Sequence, residues 1–358
     1  MRIGIVRLSS LGDIIVSATF LPFLRSSLGS CEIDWIVDSS FEGILQESQM
    51  LDTLHSFPLK QNLKSHRFCY LKTLYSQLSS LKPYDVLLDM QGLIKSALIG
   101  KIIPKKDFLG FGFLSAKESL SALAYNKTIK IPYQSHILQR NAKLITFALE
   151  LCGQNLQNPQ FQKAPESKEF LDEMLHQRHK AFVVRDEYRL DALHKTKPNV
   201  LFIIESSLPS KTYSASNFIA LGKKMLQDDV RIFILFHNDK AKAQSIYEGL
   251  DGEAVILPKM NLLEVRGIMQ GIDMAIGGDT GITHLAWALQ RPSITLYGNT
   301  PPQRFALTSP INHYLSGNEN PSYDKNDFSI NHITPQSVYE LFLAIKSNPK
   351  GYFSHSLA

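Results

Sequence analysis

The stretch IDMAIGGDTGITHLAWALQRPSITLYGNTPP, Ile272 to Pro302, runs through a β-rich segment, a Gly-rich turn, a helical pattern, an Arg-Pro turn and a second β-rich segment. Met274–Ile276 and Ser293–Tyr297 are the strands, and the apolar spacing of Thr283–Leu289 is helical. A helical crossover between two strands makes them parallel. The same alternation extends upstream. Val200–Ile204, Val230–Phe236 and Ala254–Leu257 read as strands, separated by helical patterns at Ser216–Gln227, Asp239–Leu250 and Leu262–Met269.

The first half carries its own series. Ile3–Val6, Ile33–Val37 and Tyr84–Asp89 are strands, and Asp13–Leu28, His66–Leu81 and Gln134–Leu151 are helices. Gln154–Lys197 is polar and then highly charged. It is expected to be a partly helical linker or insertion between domains 1–153 and 198–335, with a C-terminal helix and tail over 336–358. The fold class is α/β, with two doubly wound domains. In such sheets ligands sit beyond the carboxyl ends of the strands, so two halves imply a cleft lined from both sides.

Four strand-end loops carry chemistry. Gly277 and Gly278 permit a tight turn and close backbone approach, and Asp279, Thr280 and Gly281 fall at a helix N-terminus, where free amides and the helix dipole attract phosphate. Asp279 either caps that helix or accepts ligand hydroxyls, and His284 is either structural or a donor to phosphate. The pattern is neither GxGxxG nor GxxxxGK[ST], which counts against a nicotinamide oxidoreductase and a P-loop enzyme. Lys211, after the loop Glu205-Ser206-Ser207-Leu208-Pro209-Ser210, is either a solvated lysine or a counter-charge for a diphosphate leaving group. In Arg7-Leu8-Ser9-Ser10-Leu11-Gly12-Asp13, Asp13 is either a helix cap or a general base. The fourth loop runs from Asp89 through Gln91 to Lys95 and Ser96. The chain has no D-x-D pair and no zinc-like histidine spacing, so no metal site is expected.

Composition narrows the partners. The 358 residues hold 38 Lys plus Arg and 33 Asp plus Glu, a formal net charge of +5. Thr53–Glu150 holds fourteen basic and five acidic residues, 14 − 5 = +9, which leaves −4 for the rest. Such a surplus is either a solvated lysine surface or the footprint of an anionic partner: nucleic acid, a phosphorylated molecule or a membrane face. The three cysteines, odd in number and far apart, fit a reducing compartment. No run reaches the length of a membrane span, and Arg7 and Asp13 stand where a signal peptide needs its apolar region. A cytoplasmic location is expected.

Taken in order, RLSSLGD (Arg7–Asp13), DMQGLIKSAL (Asp89–Leu98), SAKESLSALAYNK (Ser115–Lys127), HILQRN (His136–Asn141), LPKMNL (Leu257–Leu262) and the Gly277–Pro302 stretch resemble the bacterial lipopolysaccharide heptosyltransferases, most closely the heptosyltransferase I group of the inner core. The resemblance implies a GT-B architecture of two Rossmann-like domains. It further implies an inverting glycosyltransferase that moves heptose from ADP-L-glycero-β-D-manno-heptose to Kdo of Kdo2-lipid A, with no obligatory cofactor or metal. By matching positions Asp13 is the catalytic base and Lys211 its partner in catalysis. Ser206, Ser207, Met260, Asp279, Thr280, Gly281 and His284 are expected to bind the donor. Arg7, Ser10, Gln91, Lys95, Lys117 and Arg140 are expected to bind the acceptor. The resembled substrate is a lipid, so peripheral association with the inner face of the cytoplasmic membrane is expected and a nucleic-acid partner is not. The family's Gly-x-x-x-Glu loop is replaced by Phe236-His237-Asn238-Asp239-Lys240, so its ribose contact does not carry over. Two alternatives are a heptosyltransferase II-like enzyme with a heptose acceptor and a nucleotide-binding module without catalysis.

Overall fold

The computed structural model describes residues 1–60, 68–153, 167–183, 193 and 196–347. Two compact units divide the chain, Met1–Phe182 and Val183–Ala358. Each is built on a six-stranded parallel sheet.

In the first unit the strands are β1 (Arg2–Val6), β2 (Glu32–Asp38), β3 (Thr53–Phe57), β4 (Tyr84–Asp89), β5 (Lys105–Phe111) and β6 (Lys127–Ile129), in the order β3-β2-β1-β4-β5-β6. The second unit has β7 (Asn199–Ile203), β8 (Arg231–Leu235), β9 (Ala254–Ile256), β10 (Met274–Gly278), β11 (Ser293–Tyr297) and β12 (Asn312–Ser316), ordered β12-β11-β10-β7-β8-β9. The central strands read as nearly continuous apolar runs because helices cover both faces of each sheet. IGIV of β1 and all of β7 and β10 are buried.

The strand order reverses between β1 and β4 in one sheet and between β7 and β10 in the other. These pairs lie side by side, Val6 against Asp89 and Gly277 against Ile203. All four loops that the sequence singles out therefore leave the carboxyl ends of strands at a topological switch point, where open α/β sheets bind ligands.

Several boundaries differ from expectation. The helix expected over Asp13–Leu28 is two helices, Leu11–Ala18 and Leu21–Leu28, because Pro22 has no N–H and its ring excludes the carbonyl four residues back. That apolar stretch is 61% buried, as a core element is. The polar or charged strands β3, β5, β6 and β12 and the helix Ile94–Ile102 were not legible. The first unit runs to Phe182 rather than ending at Gly153. Within the expected linker, Lys168–Leu175 is a helix whose Phe170 and Met174 are buried in that unit, together with Phe182. Residues 154–166, 184–192, 194–195 and 348–358 lie outside the described residues, as do His66 and Arg67 of the helix seen at Phe68–Ser79. The helix Pro335–Lys346 closes the second unit.

Candidate active site

In the first unit the Arg7–Asp13 loop is held from both ends. Asp13 is the third residue of the helix Leu11–Ala18, and its Oδ2 accepts from the Ser10 amide at 3.3 Å and the Ser10 hydroxyl at 2.9 Å. Its Oδ1 pairs with the Arg7 guanidinium at 2.9 Å. The two sequence readings of Asp13 are thus compatible. It closes the capping box, and its side chain remains 36% exposed. The Ser9–Ser10 peptide is cis.

Asp89 organises the adjacent loop. It is fully buried and collects four donors: the amides of Gln91 (2.8 Å) and Gly92 (3.1 Å) and the hydroxyls of Ser96 (2.7 Å) and Tyr125 (2.8 Å). Burial pushes its carboxyl above the usual range, while these four bonds oppose that rise. The turn they impose puts Gly92 at φ +67°, a conformation that suits glycine. Gln91 then fastens this loop to the first, its Oε1 accepting the Leu8 amide at 2.8 Å and its Nε2 donating to Ser9 Oγ at 3.3 Å.

The expected acceptor residues fall into two groups. Ser10 and Lys117 are exposed and Lys95 is half-buried. Arg7, Gln91 and Arg140 are buried and committed to the protein. Arg7 donates to the Met90 carbonyl. Arg140 donates to the carbonyls of Ser115 (2.7 Å) and Pro132 (3.0 Å) and lies over the Phe111 ring at 4.4 Å. In this structure these three are held by hydrogen bonds to the loops that carry the others. Spacing alone does not separate a basic residue that points out from one folded over an aromatic ring.

In the second unit Asp279 lies at the end of β10 and is 9% exposed. Its Oδ2 meets Lys211 Nζ at 2.5 Å and its Oδ1 meets His284 Nε2 at 3.1 Å. It does not cap the following helix, Gly281–Ala288, whose N-cap is Thr280. The Thr280 hydroxyl makes no capping bond there. The helix ladder begins with the His284 amide on the Thr280 carbonyl at 3.1 Å, so the amides of Gly281, Ile282 and Thr283 are the free donors of the N-terminus. A Cβ on Gly278 would stand 2.0 Å from the Lys211 carbonyl, so only glycine lets β10 approach the Lys211 loop this closely. Ser206 Oγ, on that loop, is buried with no hydrogen-bond partner, and Ser207 is exposed.

The replaced loop has a definite structure. Glu205, directly after the β7 run, accepts the amides of His237, Asn238 (3.0 Å) and Asp239 (3.1 Å). Beside it Lys242 donates to the carbonyls of Ile204 (2.9 Å) and Tyr213 (2.6 Å), and burial lowers its pKa to about 8. A cavity of about 540 Å³ opens next to this loop, lined by Phe236, His237, Asn238, Lys240, Ile256, Leu257, Pro258 and Lys259. Met260, half-buried, is the next residue. Glu205 and Lys242 went unnoticed in the sequence. The signal for Glu205 was its place at a strand end, facing a loop of three successive amides.

A cationic, amide-rich strand end beside a cavity suits an anionic nucleotide ligand, and relatives bear on that. The profile of glycosyltransferase family 9 (heptosyltransferase) matches residues 74–336. Lipopolysaccharide heptosyltransferase 1 of Campylobacter coli is 33% identical over 353 residues, covering 95% of this chain and 98% of that protein. Its namesake in Salmonella typhimurium is 27% identical over 308 residues, with 84% and 90% covered. Among solved structures, the E. coli heptosyltransferase WaaC with ADP superposes with a TM-score of 0.75 at 21% identity, covering 96% of this chain and 100% of that one. The shared architecture is GT-B, and by sequence the chain belongs to glycosyltransferase family 9, the heptosyltransferases.

Proposed function

We propose that this glycosyltransferase moves L-glycero-D-manno-heptose from ADP-heptose to Kdo of Kdo2-lipid A, in inner-core lipopolysaccharide synthesis, at the inner face of the cytoplasmic membrane. The observation that carries the reading is the Lys211–Asp279–His284 chain at the N-terminus of the helix Gly281–Ala288. Here two donors are held on one carboxylate beside three free amides, a cradle for a diphosphate.

The chemistry follows from the parts. In the second unit Lys211, the Thr280 hydroxyl and the amides of Gly281–Thr283 take up the charge that develops on the departing diphosphate. The nucleoside occupies the cavity beside Phe236–Lys240. In the first unit Asp13 accepts the proton of the acceptor hydroxyl while that oxygen attacks C1 of the heptose. The C1–O bond to the β-phosphate breaks, its electron pair leaves with ADP, and the anomeric configuration inverts. Ser10, Lys95 and Lys117 meet the carboxylates and phosphates of the acceptor.

Purified protein mixed with ADP-heptose and Kdo2-lipid A should release ADP. Release only with a heptose-bearing acceptor reassigns the acceptor, and ADP binding without release from intact donor refutes the transfer reaction.

A further inference from the structure

Of the thirteen large apolar side chains exposed among the described residues, eight fall between Leu71 and Leu123. Six of these, Leu71, Tyr75, Ile94, Leu98, Leu120 and Leu123, lie on elements that cover one face of the first unit. The helices Phe68–Ser79 and Ile94–Ile102 and the 3₁₀ turn Ser119–Ala124 cover the same side of the sheet, because Leu74, Leu78, Ala97, Ile99 and Tyr125 meet in one core cluster beneath them.

The helix Phe68–Ser79 exposes mostly polar residues, Lys72, Thr73, Ser76, Gln77 and Ser79 beside Leu71 and Tyr75, whereas the neighbouring helix and turn expose mainly apolar ones. On the helix Ile94–Ile102 the exposed positions are Ile94, Leu98 and Lys101, spaced four and three apart on one stripe. On the 3₁₀ turn, with three residues per turn, Leu120 and Leu123 line up on the outer edge while Ser121 points in. Phe113 and Leu114 project from the loop before it. These six apolar side chains are between 40% and 87% exposed. Contiguous apolar surface of this kind marks an interaction site. The charge around it is one-signed. Residues 94–130 hold seven lysines against two acids, Asp107 and Glu118, 7 − 2 = +5, as large as the net charge of the whole chain. Lys101, Lys106, Lys117, Lys127 and Lys130 are exposed.

We propose that this face docks on an anionic phospholipid bilayer, its leucines seated at the headgroup–acyl boundary and its lysines on lipid phosphates. Apolar side chains ringed by lysines and short of acids match an interface that is oily below and anionic above. A second copy of the chain would instead bring an identical lysine ring against this one. The proposal deepens the membrane reading above by naming its surface, and it does not depend on the transfer reaction.

The test is co-sedimentation of the full-length protein with vesicles that contain no glycolipid acceptor. One set is phosphatidylcholine alone, the other phosphatidylcholine mixed with phosphatidylglycerol. The protein should be retained on the anionic set only, and less so as salt rises. Leu114→Ser with Leu123→Ser should lower the partition about tenfold or more, and Lys101→Gln with Lys127→Gln by about tenfold. Both variants should melt and bind ADP as the parent does, since all four positions are exposed. Equal retention on both vesicles, or full retention of the leucine variant, overturns the proposal. So does a leucine variant that changes the oligomeric state and leaves vesicle binding intact. Loss of ADP release with vesicle binding preserved would count against the transfer reaction alone.

Discussion

Replacing Asp89 separates scaffold from chemistry in the first unit. In Asp89→Ala, four donors lose their acceptor: two amides at 2.8 and 3.1 Å and two hydroxyls at 2.7 and 2.8 Å. Ser96 can fall back on the Leu93 carbonyl, which its hydroxyl already reaches at 2.9 Å. Three buried donors are then stranded, at about 1–3 kcal/mol each. Relief from burying a carboxylate offsets part of this, leaving a net loss of about 3–5 kcal/mol. Asp89→Asn differs in one respect. Its Oδ1 still accepts both amides, its new NH2 group meets hydroxyls that can rotate to accept, and the carboxylate's burial cost disappears, so the loss is about 1 kcal/mol. Because Gln91 ties this loop to Leu8 and Ser9, the alanine variant should also lose turnover through the Arg7–Asp13 loop. Denaturant unfolding, kcat with Kdo2-lipid A and the Kd for ADP are the readouts. The expected order is Ala far below Asn in stability and turnover, with ADP affinity equal in both. An alanine variant as stable as the asparagine one, or a parallel drop in ADP affinity, would refute the reasoning.

Three further outcomes follow from the same geometry. Asp13→Asn should lower kcat by on the order of 10²–10⁴ and leave the calorimetric Kd for ADP within about twofold, whereas retained turnover would remove Asp13 from proton transfer. Lys211→Gln should weaken ADP binding by about 10–100-fold, the value of a charge-assisted contact, and unchanged binding would return this lysine to a scaffold role on Asp279. Lys242 sets a pH dependence: its folded pKa is about 8 against 10.5 for a free lysine. Between those values the unfolded chain holds the extra proton, so stability rises with pH. Allowing for partial exposure, the gain is about 1–2 kcal/mol over that window. Melting curves from pH 7.5 to 10 should show the parent gaining on Lys242→Met, and parallel curves would discard the effect.

The sequence showed the two αβ series because their strands are apolar and both faces of a parallel sheet are buried. It missed β3, β5, β6 and β12, where polar or charged residues (THS, KKD, KT and NH) interrupt the apolar run. Asp13, Lys211 and Asp279 were legible as polar residues at strand ends. Their partners were not, since a pairing such as Lys211 with Asp279 joins residues 68 apart. Nor does a count of lysines distinguish Arg140, folded over Phe111, from the exposed Lys117 beside it. The scattered apolar positions of the first half became one surface only when the helix Ile94–Ile102 and the turn after β5 were set side by side.

The embrace of the His237–Asp239 amides by Glu205 bears on which way round a nucleotide lies. A run of three backbone donors is itself an anion receptor, and both the His237–Asp239 loop and the Gly281–Thr283 end present one. The first already holds a built-in occupant, so phosphate is turned away from it by a resident negative charge. Under the proposed function this favours one polarity, phosphates toward Gly281 and nucleoside toward Phe236. On that reading Glu205 opposes the reversed pose, and Glu205→Gln should weaken the discrimination without touching any group proposed to contact the leaving phosphate.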